Sequence, residues 1–236
     1  MQAELKGKIP DRSEDRLTGN FFGTLRYLPF DKGLGPVLTG GTCPPETARA
    51  LGEHLPLELT DSWANNIHFW KHFEEGEPDI LLEFDNAVAV IEVKLDSGLS
   101  SDDETGDPED DQKLPQDSKN QLARYAGLLK RIAKGREMFL LLLAPQSSAN
   151  TIYTDVKRRK IIAEDLRFGY ITWQKALDIL ESAEGRISDP FEKLIITDLC
   201  DLLELKGLGG FRDFKISAEV DANDVWNFTP RPDCWL

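Results

Sequence analysis

The chain has 236 residues, of which 40% are hydrophobic and 30% charged, a composition typical of a soluble globular protein with a buried core. That balance excludes collagen-like, coiled-coil and wholly disordered proteins. The longest apolar run, Met138 to Ala144, is far shorter than the ~20 residues of a membrane-spanning helix. The N-terminal residues lack the apolar stretch of a secretory signal, so we expect a cytoplasmic protein without membrane attachment.

The charge is unevenly distributed along the chain. The net charge of −14 argues at face value against a polyanionic partner. Residues 96–118, however, carry nine acids against one base, and residues 119–160 carry ten bases against two acids. An acidic segment therefore adjoins a basic one. Solvated surfaces show the same patterns, so charge alone does not decide between a nucleic-acid partner and an ordinary surface.

The N-terminal quarter contains one clear element. A helix is predicted from near Asp11 or Ser13 to just before Pro29, because a capping-box-like start precedes an apolar stripe. Residues 30–60 are rich in Gly and Pro and predict a loop with a short helix around residues 46–54.

A β-hairpin is predicted where two β-rich runs, PDILLEF and AVAVIEVKL, flank the dipeptide Asp85-Asn86. With a two-residue turn there, the numbers of paired residues sum to 171, which places Asp79 opposite Glu92. Side chains alternate between the two faces of a strand, so Asp79, Glu92 and Lys94 then share one face.

The remainder predicts further helices and strands. Residues 97–116 have almost no apolar side chains and predict a disordered acidic loop. A helix then begins with a capping box formed by Ser118 and Gln121 and ends at Gly135, and Met138 to Ala144 predicts a buried strand. The last predicted elements are a strand at 170–172 and helices at 173–183 and 189–206.

This order of elements predicts a single α/β domain over residues 1–236. Its core is a mixed β-sheet flanked by helices, with a helical C-terminal extension from about residue 173.

The facing carboxylates of Asp79 and Glu92 repel one another unless a cation lies between them. Their burial without a partner is costly, so the sequence either pairs them or holds a cation. Two carboxylates, a main-chain carbonyl and water form the oxygen-rich site that Mg²⁺ or Mn²⁺ prefers. Lys94 adds a positive donor for a phosphate or an attacking water. The combination predicts metal-assisted hydrolysis of phosphodiester bonds.

The sequence Pro78-Asp79, followed after twelve residues by Glu92-Val93-Lys94, resembles the signature of the PD-(D/E)XK nuclease superfamily. The sequence from Gln121 to Tyr125 resembles the QxxxY element of its RecB-like branch. The resemblance spans about residues 11–145 and implies a restriction-endonuclease-like fold. It also implies DNA cleavage dependent on Mg²⁺ or Mn²⁺, in the context of bacterial anti-phage defence, restriction or DNA repair.

The resemblance assigns a role to each matching residue. Asp79 and Glu92 would bind the metal with the Val93 carbonyl, and Lys94 would assist the nucleophile. Glu14, on the N-terminal helix, is the candidate for a further metal ligand. Gln121 would support the metal-bound water or the DNA phosphate. The residues expected to bind DNA are Tyr125, Arg124, Lys157, Arg158, Arg159 and Lys160.

Several of these residues also have a structural interpretation. Glu14 and Gln121 are capping-box residues, and Tyr125 lies on the apolar stripe of its helix. The basic cluster at 157–160 is also typical of a solvated turn. In the 171 register Glu77 faces Lys94 and would neutralise it as a structural ion pair.

Two hypotheses about function therefore remain open at this point. The first is a DNA nuclease, acting alone, as a homodimer or within a larger complex. The second is a catalytically silent nuclease-like module that binds nucleic acid or a protein partner. The acidic loop departs from the family pattern and would act either as a tethered mimic of DNA phosphates or as an inert insertion.

Overall fold

The computed structural model describes residues 14–57, 63–95, 120–163 and 165–209. The predicted acidic loop at 97–116 lies outside these described residues. Within them the chain forms seven helices and five strands, and none of these helices is long and apolar enough to cross a membrane. In chain order the elements are α1 (Glu14–Leu25), α2 (Leu34–Gly41), α3 (Pro45–His54), β1 (Ile67–Phe69), β2 (Ile80–Glu83), β3 (Ala87–Val93), α4 (Gln121–Ile132), β4 (Glu137–Ala144), α5 (Gln146–Arg158), β5 (Arg167–Thr172), α6 (Trp173–Glu184) and α7 (Pro190–Leu205).

The strands form one mixed sheet in the order β1-β2-β3-β4-β5. Strands β1, β2 and β3 are antiparallel neighbours, whereas β4 and β5 run parallel to β3. Helices cover both faces, so the predicted mixed sheet flanked by helices is confirmed. The β2–β3 register is also as predicted, because Ile80 pairs with Ile91 and Leu82 pairs with Ala89.

Two hydrophobic cores lie on opposite faces of the sheet. The larger packs α1, α2, α6 and α7 against residues such as Ile80, Ile91 and Leu141. The smaller packs the crossover helices α4 and α5 against residues such as Val90 and Leu140. Strand β3 is buried along its whole length, as expected for a central strand covered on both faces.

The parallel strands place the ends of several elements at one edge of the sheet. Strands β3, β4 and β5 all finish there, and β2, which is antiparallel to them, begins there. Helices α5 and α6 begin at the same edge because each directly follows a parallel strand. This carboxyl edge is where ligands of α/β sheets generally bind.

Three elements were not predicted from the sequence. They are α2, which contributes buried Val37 and Leu38 to the larger core, the short strand β1, and α5. The predicted capping box of Ser118 and Gln121 is wrong in its N-cap residue, and Ser118 itself lies outside the described residues. Instead, Asn120 is the N-cap of α4, and its side chain accepts hydrogen bonds from the N–H groups of the second and third helical residues.

Candidate active site

Asp79 and Glu92 lie at the carboxyl edge in the cross-strand positions that follow the Ile80–Ile91 pair. Asp79 is 9% exposed and Glu92 is 1% exposed, so both carboxyl groups are removed from bulk water. The Asp79 carboxylate accepts a hydrogen bond of 2.8 Å from the main-chain N–H of Val93. This bond fixes one carboxylate against the end of β3.

Lys94 immediately follows β3, and its ammonium is buried with the carboxylates. Its Nζ lies 2.7 Å from Oε1 of Glu92 and donates a 3.0 Å hydrogen bond to Oε1 of Glu14. The second oxygen of Glu14 accepts a 2.9 Å hydrogen bond from the N–H of Leu95. Glu14 is therefore part of the site, and in this structure it holds the lysine and the adjoining main chain.

The main chain of Lys94 is fixed as well. Its N–H donates to the carbonyl of Leu143 at 2.7 Å, and its carbonyl accepts a 2.8 Å hydrogen bond from Nε1 of Trp173. Trp173 in turn makes an edge-to-face contact with Phe21 of α1, with ring centroids 5.1 Å apart. The larger core thus supports the strand end that carries the lysine.

Both oxygens of Glu92 are buried without a hydrogen-bond donor among the described residues. The nearest charged group is the Lys94 ammonium, which forms an ion pair with Oε1 at 2.7 Å. Buried carboxylate oxygens normally have a donor or a cation. The Glu92 side chain therefore retains capacity for one.

Burial raises the pKa of both carboxyl groups. For Asp79 burial is the largest effect, and the pKa rises to about 6. The hydrogen bond from the Val93 N–H and the charge of Lys94 act in the opposite direction and lower the pKa. For Glu92, burial and then the charge of Asp79 raise the pKa to about 8. Burial lowers the pKa of Lys94, but Glu92 and Glu14 outweigh it, so the net shift is upward and the ammonium stays charged.

The first turn of α4 contacts the segment that leads into Asp79. Gln121 Nε2 donates to the Tyr125 hydroxyl at 3.1 Å, and that hydroxyl donates to the carbonyl of Glu77 at 2.8 Å. Tyr125 is 2% exposed, and burial raises its pKa to about 12. The structure therefore places Tyr125 in the core, as its apolar-stripe position indicates, while its hydroxyl reaches the site segment.

A second tether was not predicted from the sequence. Arg131 makes a two-pronged ion pair with Glu75, and Nε of Arg124 donates to the Glu75 carbonyl at 3.0 Å. Glu75 is 5% exposed although it lies in a strongly acidic stretch, so its sequence context gives no signal of burial. Arg124 thus holds the loop before Asp79.

The structure changes the predicted surroundings of Lys94. Glu77, predicted to face the lysine, has its carboxylate 3.9 Å from Nδ1 of His72, while Glu14 pairs with the lysine. The basic cluster Lys157, Arg158, Arg159 and Lys160 lies at the far end of α5, whose first turn is at the carboxyl edge. A helix of 13 residues is about 20 Å long, so the cluster is not brought to the carboxylates.

The donor set fits a hard divalent cation in part. Asp79, Glu92 and the Val93 carbonyl supply oxygen atoms at one strand end, and the Glu92 oxygens accept no hydrogen bond from the described residues, although Oε1 lies beside the Lys94 ammonium. Among the described residues, however, no group of three or more His, Cys, Asp and Glu side chains is arranged to hold a metal ion. Any cation there would have two carboxylates as its protein side-chain ligands, completed by main chain and water.

Comparison with known proteins identifies no relative of this chain: no family model, curated protein or solved structure matches it.

Proposed function

We propose that this protein is a metal-dependent nuclease that hydrolyses phosphodiester bonds in DNA. The observation that carries the proposal is the buried pair of Asp79 and Glu92, facing each other on adjacent strands with Lys94 two residues further along the same face. The resemblance to PD-(D/E)XK nucleases supports the same conclusion from the sequence motifs.

The electrostatics support a divalent cation as cofactor. Burial disfavours the charged form of both carboxyl groups, and the charge of Asp79 adds to this effect for Glu92, which is why their pKa values are raised. A Mg²⁺ or Mn²⁺ ion would replace the proton that the pair holds near neutral pH. Asp79, Glu92 and the Val93 carbonyl would hold it, whereas both oxygens of Glu14 are engaged by the Lys94 ammonium and the Leu95 N–H. The ion would polarise the phosphate and activate water.

The protein's own groups have separate tasks in this proposal. Lys94 presents a charged ammonium that would orient a phosphate oxygen or the attacking water, and Glu14 fixes its position. Gln121 would support the water or phosphate from α4. Tyr125 and Arg124 would act as positioning residues, because each holds the carbonyl of a residue just before Asp79.

A second candidate function has a specific observation in its favour. Lys94 already pairs with both Glu92 and Glu14, which compensates the carboxylate charge without a metal. A protein with this network would bind nucleic acid or a protein partner in a larger complex and cleave nothing.

The deciding experiment incubates the full chain with supercoiled plasmid, linear duplex and single-stranded DNA in Mg²⁺, Mn²⁺ or chelator. We expect cleavage that requires the metal and is lost in Asp79→Asn. The matched control, Asp201→Asn, changes an exposed aspartate on α7 and should cleave at the parent rate. Calorimetry with Mn²⁺ runs in parallel. DNA binding without cleavage and without Mn²⁺ binding would favour the silent module.

A further inference from the structure

A cavity of 530 Å³ opens where the carboxyl ends of β4 and β5 meet the first turns of α5 and α6. Its volume falls within the range of about 300–1,000 Å³ typical of ligand pockets. The polar side chains that line it include Gln146, Asn150, Tyr170, Thr172, Lys175 and Asp178. None of these residues belongs to the candidate active site.

The sheet register relates this pocket to the carboxylates. Glu92 pairs with Leu142 on β4, and Leu142 pairs with Tyr170 on β5. Paired residues on adjacent strands share a face, so Tyr170 and Glu92 lie on one row of the same face. Their main chains are two strand spacings apart, or roughly 10 Å.

The chemistry of the lining favours an uncharged polar ring. Lys175 and Asp178 are opposite charges one turn apart on α6, so the pocket lacks the positive excess that a phosphate group requires. The Tyr170 hydroxyl lies 3.4 Å from Oδ1 of Asn150, and the Tyr170 ring contacts the Tyr153 ring at 5.2 Å. Amide side chains pair with the edges of nucleobases, and aromatic rings stack on their faces.

We infer that this pocket binds a nucleobase of the strand whose backbone lies at Asp79 and Glu92. The inference rests on the proposed function. A distance of roughly 10 Å corresponds to about three stacked base steps of 3.4 Å, so the base belongs to a nucleotide within about three positions of the scissile phosphate. Asn150 contacts the edge of the base, and Tyr170 contacts its face.

The binding test uses the four deoxynucleosides, which contain no phosphodiester bond, with the metal-free full chain. Saturation-transfer NMR should show contact with their base protons, and inorganic phosphate should not displace them. Asn150→Ala, at an exposed helical position where alanine is well tolerated, should weaken binding about 2- to 12-fold. Tyr170→Ala should weaken it about 5- to 140-fold, while Tyr27→Ala, at a 68% exposed tyrosine elsewhere, should not. Absence of nucleoside binding, or equal affinity in Asn150→Ala, would overturn the inference.

A kinetic test separates this inference from the proposed nuclease function. In Asn150→Ala, KM for an oligonucleotide should rise while kcat and the hydrolysis of bis(4-nitrophenyl) phosphate stay at parent values. Cleavage with an unchanged KM would reject the base pocket and leave the nuclease standing. Nucleoside binding without cleavage in any metal would reject the nuclease and leave the base pocket standing.

Discussion

The carboxylate of Glu14 lies 3.0 Å from the ammonium of Lys94, which joins the first described residue of α1 to the end of β3. The two residues are 80 positions apart in the chain. Lys94 is 3% exposed, so this contact and the one with Glu92 keep a buried charge compensated. The arrangement makes the charge of Glu14 a determinant of stability as well as of the site.

The first prediction concerns that charge. Glu14→Gln keeps the shape of the side chain but removes one of the two carboxylates that compensate Lys94. The free energy of unfolding should fall by about 1–2 kcal/mol in urea denaturation. The control is Asp15→Asn, which removes the neighbouring exposed acid of the same helical turn and should change it by less than about 0.5 kcal/mol. Equal effects of the two variants would mean that the first-turn acids act only on the helix dipole.

The second prediction concerns pH. A carboxyl group whose pKa is raised on folding binds more protons in the folded state, so it stabilises at low pH and this stability is lost as pH rises through the folded value. With the pKa of Glu92 at about 8, the free energy of unfolding of the metal-free protein should fall by about 2 kcal/mol between pH 6 and pH 8. Glu92→Gln should remove most of this loss, yet cleave no DNA. Denaturant titrations at both pH values measure the free energy of unfolding. If the stability of the variant falls between pH 6 and pH 8 as much as that of the parent, the raised pKa of Glu92 is contradicted.

The third prediction separates Lys94 from metal binding. Lys94→Ala should lower the cleavage rate by about 100-fold or more, because a charged donor next to the phosphate is lost. Mn²⁺ binding should remain measurable by calorimetry, since Asp79 and Glu92 are unchanged. Lys130→Ala, which removes an exposed lysine paired with Asp165, is the control and should cleave normally. Parent-rate cleavage by Lys94→Ala would make Lys94 a structural residue.

The fourth prediction concerns the Tyr125 hydroxyl, which donates to the main chain two residues before Asp79. Tyr125→Phe should cost about 1 kcal/mol of stability because the Glu77 carbonyl loses its donor. It should lower kcat on the order of 10-fold, less than the ~100-fold expected for a 1 Å displacement of a reacting group. Tyr153→Phe is the matched control. A loss of stability without any change in kcat would show that Tyr125 has only a structural role.

The hairpin and its register were predictable because a two-residue turn and strict alternation leave little freedom in the pairing. Asp79, Glu92 and Lys94 share a face for the same local reason. The partnership of Glu14 with Lys94 was not predictable, because it depends on how α1 crosses the sheet. Sequence periodicity carries no information about such a contact.

The missed elements had weak local signals. In α5 only Ala149 and Val156 are buried, so the helix lacks the continuous apolar stripe that identifies an amphipathic helix. Helix α2 has the sequence LGPVLTGG, whose Gly and Pro content is typical of a loop, and its packing against the larger core overrides that tendency. Strand β1 has only three residues.

The last prediction concerns the basic cluster, which lies about 20 Å along α5 from the carboxyl edge, or roughly six base pairs of duplex. Arg158 and Arg159 also pair with Asp155, which partly neutralises them. If long DNA follows α5, the double variant Arg158→Ala/Arg159→Ala should reduce the slope of log K against log salt by up to about 1.8 for a 30-base-pair duplex. A hairpin with a stem of four base pairs, about 14 Å long, that is bound at the carboxylates cannot reach the cluster, so its slope should not change. Lys193→Ala, which removes one exposed positive charge from α7, controls for the loss of a single surface charge. An unchanged slope with the long duplex would place the DNA path away from α5.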